Sequence, residues 1–153
     1  MKKDYIRDYA TEAFRFWASC GCPTYKQAAD RIYERTLGEN SSDPERALLL
    51  AERAVSEAQP ELLDILAVTE VLRLLSEYGR HDIASAVVAV YCVSSKRRAR
   101  RGDITRRVVE FSMNAHMDER TVYRYLAKAR ALFASMRGLR CDAPIDALID
   151  SIK

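Results

Sequence analysis

Asp118-Glu119-Arg120-Thr121-Val122-Tyr123-Arg124-Tyr125-Leu126-Ala127-Lys128-Ala129-Arg130-Ala131-Leu132-Phe133 decides how this chain is read. At about 100° per residue, Val122, Tyr125, Leu126, Ala129, Leu132, Phe133 and Met136 fall on one stripe, the pattern of a helix that packs on a core by one side. Asp118 has the short carboxylate that caps a helix N-terminus. Opposite the stripe lie Arg120, Tyr123, Arg124, Ala127 and Lys128, with Thr121 at its margin, so the first two turns carry a basic, hydrogen-bonding outer face. The bland alternative is an amphipathic helix with ordinary Arg and Lys on its wet side.

Working outward, the segment just before this helix is the most basic of the chain. Lys96, Arg97, Arg98, Arg100 and Arg101 crowd together ahead of Gly102, and Arg106 and Arg107 follow in the next predicted helix. Residues 94–140 hold 13 Lys/Arg against 4 Asp/Glu, whereas residues 1–93 hold 11 against 15 and residues 141–153 hold 1 against 3. The net charge of +3 therefore conceals a strongly cationic segment between two acidic ones. Such a run suits phosphate oxygens and predicts a polyanionic partner, double-stranded DNA first, although it carries no base information itself. The division of labour that follows assigns Lys96, Arg97, Arg98, Arg100, Arg101, Arg106 and Arg107 to phosphates. Arg120, Thr121, Tyr123, Arg124 and Lys128 face the groove.

The remainder of the 153 residues reads as all-α. Every glycine (21, 38, 79, 102, 138) and every proline (23, 44, 60, 144) falls between apolar-periodic segments rather than within one, as helix punctuation requires. A first helix is predicted from Lys3 to Cys20, with Ile6, Tyr9, Ala10, Ala13, Phe16, Trp17 and Cys20 inward. Thr24 with Gln27 forms a capping box for a second helix ending near Leu37, where Gly38 can take the left-handed stop. Asp43 and Pro44 start a third, with Ala47, Leu48, Ala51, Ala54 and Val55 inward. Leu62, Ile65, Leu66, Thr69, Leu72 and Leu75 mark a fourth, closed by Gly79. His81-Asp82 opens a fifth, apolar on nearly all sides up to Val93 and therefore expected to be central; its β-branched content makes a strand the competing reading. Ile145, Leu148, Ile149 and Ile152 form the stripe of a last, acidic helix expected to dock on the domain. The expected organisation is a helical N-terminal domain over 1–80, a DNA-binding domain over 81–140 and an acidic amphipathic C-terminal tail over 141–153.

Residues 118–132, with the Thr121-Val122-Tyr123-Arg124 core and the Lys128-Ala129-Arg130-Ala131-Leu132 continuation, resemble the recognition helix of sigma-factor region four. They are more similar still to the small phage-encoded sigma-like regulators of the RinA and ArpU type. There an all-α N-terminal part leads into a helix ending in an apolar-Tyr pair, as Val90-Tyr91 does here, then a basic or polar loop and a helix-turn-helix. The resemblance covers roughly residues 82–137. It implies a C-terminal helix-turn-helix of sigma region four type and a transcriptional regulator of a phage or mobile element, with RNA polymerase and a second copy of the chain as candidate partners. One spacing departs from the motif: Ile104 precedes Asp118 by 14 positions instead of about seven. The first motif helix is therefore longer by about two turns or begins nearer Val108 and Val109, with Phe111, Met113 and Met117 in the wedge between the helices.

Other function classes find little purchase. No glycine-rich phosphate loop, paired-His metal helix or nucleophile signature is present, and Glu110, His116 and Asp118 flank a turn that capping explains. Catalysis, a cofactor and a metal site are not expected. Cys20 and Cys22 are the only closely spaced members of the 4 cysteines, and reduced, inert thiols are the simpler reading. The opening Met1-Lys2-Lys3-Asp4-Tyr5 lacks the apolar stretch of a secretory signal, and the ten-position run from Ala84 to Val93 is about half the ~20 that a bilayer crossing needs. A cytoplasmic protein without membrane contact is expected. A packaging component of the small-terminase kind and a helical protein-interaction adaptor are the rivals to the regulator.

Overall fold

The computed structural model describes residues 4–93, 102–139 and 145–153. Eight helices account for about four fifths of them: α1 (Tyr5–Ser19), α2 (Tyr25–Glu39), α3 (Pro44–Glu57), α4 (Gln59–Glu77), α5 (His81–Val90), α6 (Asp103–Asn114), α7 (Glu119–Arg137) and α8 (Ile145–Ile152). No strand occurs among the described residues, so the all-α reading holds and α5 is a helix despite its valines.

The contacts separate two compact units that are not consecutive in sequence: Pro23–Leu66 forms one, and Met1–Cys22 joins Ala67–Lys153 in the other. The smaller unit is α2 packed on α3, with the first part of α4. Its helix starts are written locally. Thr24 Oγ1 accepts from the Gln27 amide at 3.2 Å while Gln27 Oε1 accepts from the Thr24 amide at 3.0 Å. Asp43 Oδ1 accepts from the Arg46 amide at 3.3 Å, with Pro44 in the first turn where its missing N–H costs nothing. Two expectations fail. Gly38 does not stop α2, which runs through it to Glu39 and ends on Asn40 at φ −122°. Leu48 lies outward, and on α3 only Ala47 and Ala51 are fully buried. No side chain of α2 is fully buried.

The larger unit is built around α7, which packs against α1, α5, α6 and α8. Its buried face is Val122, Leu126, Ala129, Leu132, Phe133 and Ala134, close to the expected stripe, with Tyr125 and Met136 half-buried. From α5, Ile83, Ala86, Val87 and Val90 are buried, but Val88 is 46% exposed, so α5 is a one-sided core helix rather than an enclosed one. The inward face of α1 differs from the expected one. Ala10, Ala13, Phe14, Trp17 and Ala18 are buried, whereas Ile6, Tyr9 and Phe16 are exposed. Phe14 stacks on Tyr91 at 5.9 Å between centroids and tilts against Phe133 at 5.8 Å. α1 thus turns to α7 the face that carries Phe14, whose ring joins an aromatic cluster with Tyr91 and Phe133.

Candidate nucleic-acid interface

α6 and α7 are consecutive helices joined by Ala115, His116, Met117 and Asp118. His116 turns the chain at φ +53°, a left-handed conformation that few non-glycine residues adopt and that His tolerates better than β-branched ones. The Met117 amide returns to the Ser112 carbonyl at 3.0 Å, and Asp118 Oδ1 accepts from the Arg120 amide at 3.1 Å, so the turn closes α6 and caps α7 in four residues. Of the two openings weighed for the first helix, the longer is found: α6 begins at Asp103 and includes Ile104. The wedge is filled differently. Val108 and Ser112 are the buried residues of α6, and Met113, expected inside, is 70% exposed. Ser112 is tolerated there because its hydroxyl donates to the Val109 carbonyl at 2.8 Å.

Because Val122, Leu126 and Ala129 face the core, Arg120, Tyr123, Arg124 and Ala127 project from the first turns of α7 into solvent, Tyr123 at 39% exposure. Thr121 is half-buried at the margin. Two edges frame this strip. On one side, α1 and Tyr123 share a cleft of about 440 Å³, lined also by Asp4, Asp8, Glu12, Arg15 and Arg130. Arg15 is paired with Glu12 at 3.0 Å, and Arg130 Nη1 donates to the Tyr91 hydroxyl at 2.6 Å. Arg7 also lines this cleft, so its three guanidiniums, Arg7, Arg15 and Arg130, balance its three carboxylates. On the other side, α8 lies against α7, and the Lys128 ammonium donates to the Ser151 carbonyl at 2.9 Å.

The other cations named from sequence divide as sharply. Arg106 is exposed on α6, 3.7 Å from Asp103. Arg107 is half-buried and its Nη1 donates to the Val90 carbonyl at 3.1 Å, closing the C-terminal end of α5. Arg107 thus satisfies a helix-end carbonyl, where a cation is favourable. Lys96, Arg97, Arg98, Arg100 and Arg101 lie outside the described residues. The structure therefore brings Arg120, Thr121, Tyr123 and Arg124 together, adds Arg106 on the preceding helix, and commits Arg107 and Lys128 to main-chain carbonyls.

One polar cluster beside this surface was not anticipated. Arg80 donates to both Asp82 carboxylate oxygens, at 3.0 and 3.1 Å, and its remaining Nη1 donates to the Ile152 carbonyl at 2.8 Å. Its guanidinium lies 5.6 Å from the centre of the Tyr125 ring. Hydrogen bonding from Arg80 is the main reason the Asp82 carboxyl falls from 3.8 to about 2, and hydrogen bonding from Tyr125 adds to it against the opposing effect of burial. The Tyr125 hydroxyl is pushed up in return by its bond to Asp82 and by burial. The sequence signal was available in Arg80 standing two residues before Asp82 at the start of α5, but nothing local pointed to α7 and α8 as the other members. Away from this surface, burial pushes the Cys92 thiol up to about 12, with nearby Cys22 contributing, and Cys92 lies 3.9 Å from the Phe14 carbonyl.

Among the described residues no helix is long and apolar enough to cross a membrane. The chain matches no protein-family model, no curated protein and no solved structure.

Proposed function

We propose that the chain is a sequence-specific, double-stranded-DNA-binding regulator of transcription, with α6 and α7 as its helix-turn-helix and the first turns of α7 in the major groove. The observation that carries the reading is the two-sidedness of α7: Val122, Leu126 and Ala129 are buried while Arg120, Tyr123 and Arg124 stand exposed at its N-terminal end. A helix held by one face that offers Arg from its leading turns meets the geometric demand of major-groove reading, because only those turns reach base edges. Arg124 and Arg120 are the base-reading candidates, since a guanidinium fork matches the O6 and N7 acceptors of guanine. Arg106, with Lys96, Arg97, Arg98, Arg100 and Arg101, holds phosphates. The resemblance to phage sigma-like regulators extends the reading to a cytoplasmic regulator of a phage or mobile element, with RNA polymerase or a second copy of the chain as partner.

Selection of bound sites from random duplexes at two salt concentrations tests this. A regulator enriches one motif, and binding to it falls as a power of salt concentration. A library that stays random at both salts refutes it.

A specific observation favours one other reading, a helical protein-interaction adaptor. The Pro23–Leu66 unit holds 5 Lys/Arg against 9 Asp/Glu and exposes Leu48, Leu49 and Leu63, Leu49 at 70%. An adaptor predicts no retention of duplex DNA at moderate salt.

A further inference from the structure

The α7 reading leaves α8 without a role, although α8 occupies one edge of the same surface. It has eight residues, a length at which an isolated helix is unstable in water, so its helicity depends on what it packs against. Its hold on the rest of the unit is concentrated at one end. Ile152 is its only fully buried side chain, while Ile145, Leu148 and Ile149 are half-buried and Asp146, Ala147 and Asp150 are exposed. The Ser151 and Ile152 carbonyls are among the last of the helix, which have no partner within it. They receive the Lys128 ammonium and the Arg80 guanidinium at 2.9 and 2.8 Å. The two cations thus complete the negative end of the α8 dipole. Lys128 lies one helical turn beyond Arg124, on the side of α7 where the exposed strip continues. α8 carries Asp146 and Asp150 and no cation of its own, with Lys153 paired to Asp150 at 3.4 Å just beyond it, so it brings net negative charge to that edge.

We propose that α8 is a displaceable strap: it competes with a phosphate backbone for Lys128 and the adjoining edge of α7, and it holds the chain in a weaker-binding state until it leaves. The proposal rests on the reading of α7 as a DNA-binding helix. Three features fit release rather than permanent packing. The one fully buried side chain and both main-chain acceptors lie in the last two residues of the helix, a phosphate oxygen can replace a carbonyl oxygen on Lys128 with no change of donor, and Asp146 and Asp150 give the departing helix like charge to the incoming backbone.

The test compares the full chain, a chain ending at residue 140, and full-length Ile152→Asp, which removes the buried anchor. Fluorescence anisotropy on a labelled 20-base-pair duplex is followed across a KCl series. Both altered chains are expected to bind about threefold or more tightly than the full chain, with a salt slope steeper by about 0.9, the contribution of one newly engaged cation. A synthetic peptide of residues 141–153 added to the shortened chain should restore weaker binding. A second measurement needs no variant: the amides of residues 149–152 should lose hydrogen-exchange protection when duplex is added to the full chain. Unchanged protection in the DNA-bound chain, or equal or weaker binding by a shortened chain of native helicity, overturns the strap alone. Failure of all forms to bind duplex at low salt overturns the reading of α7 and the strap with it.

Discussion

Replacing Phe14 with Ala and, separately, Phe16 with Ala separates the face α1 uses from the face its periodicity suggests. Phe14 is 0% exposed and its ring meets both Tyr91 and Phe133 within 6 Å. Truncating it removes a buried ring and leaves a cavity among side chains of α1, α5 and α7, at a cost of about 3–5 kcal/mol. The lost ring-to-ring contacts are part of that cost. Phe16 is 39% exposed, so its truncation forfeits only a fraction of a Phe transfer energy and should cost ~1 kcal/mol or less. The assay is urea unfolding followed by far-ultraviolet circular dichroism. With a slope of about 2 kcal/mol per M, the Phe14→Ala midpoint falls by about 2 M and that of Phe16→Ala by ~0.5 M or less. Near-ultraviolet dichroism gives a second reading, because the Phe14 change should also alter the Tyr91 environment. Equal midpoints for the two variants, or the larger loss with Phe16→Ala, would refute the orientation of α1 and with it the aromatic cluster that joins α1 to α7.

Asp82→Asn tests the cluster around Arg80. With its carboxyl at about 2 instead of 3.8, the folded state binds the proton less readily than the unfolded state. This contribution is therefore fully present above pH ~4 and is lost as pH falls toward ~2. Its ceiling of ~2.5 kcal/mol shrinks to ~1 kcal/mol because the side chain is 38% exposed; Asp82→Asn should lose that amount at pH 7 and show a shallower acid dependence of stability in parallel urea titrations. Asp43→Ala removes the α3 cap and should cost ~1 kcal/mol in the same unfolding assay, with no change in DNA affinity. Arg124→Ala should cost ~1–3 kcal/mol on the selected site and relax preference at one position. Arg106→Ala should weaken specific and random duplexes alike and lower the salt slope by about 0.9, both read by competition binding.

The helix starts were legible because capping is local: Thr24 with Gln27, Asp43 with Pro44, and Asp118 each satisfy amides within three residues. The two-sidedness of α7 was legible for a related reason, since Val122, Tyr125, Leu126, Leu132, Phe133 and Met136 fall within about a third of its circumference. The face of α1 was not. Tyr5, Ile6, Tyr9, Ala10, Ala13, Phe14, Phe16, Trp17 and Ala18 cover most of the helix, so periodicity leaves several faces open and the partner helix selects one. The fate of individual cations was equally hidden. Arg107 read as a phosphate ligand and Lys128 as a groove-facing residue, yet each meets a main-chain carbonyl from a distant element, Val90 and Ser151. A charge balance counts cations without telling which are committed to the fold. The inward face of α6 was hidden as well: Val108 and Ser112 take its buried positions, and Met113 is left outside.

The most direct test of the central claim is photochemical crosslinking. The selected duplex is prepared with 5-iodouracil replacing each thymine in turn, which places the reactive iodine in the major groove, and the crosslinked peptides are identified by mass spectrometry. Tyr123 stands exposed between Arg120 and Arg124, so crosslinks at Tyr123, or elsewhere within residues 119–128, are predicted from one or two positions of the site. Crosslinks confined to α1, α2 or α3, with none in α7, would contradict the assignment of its outer face to the groove.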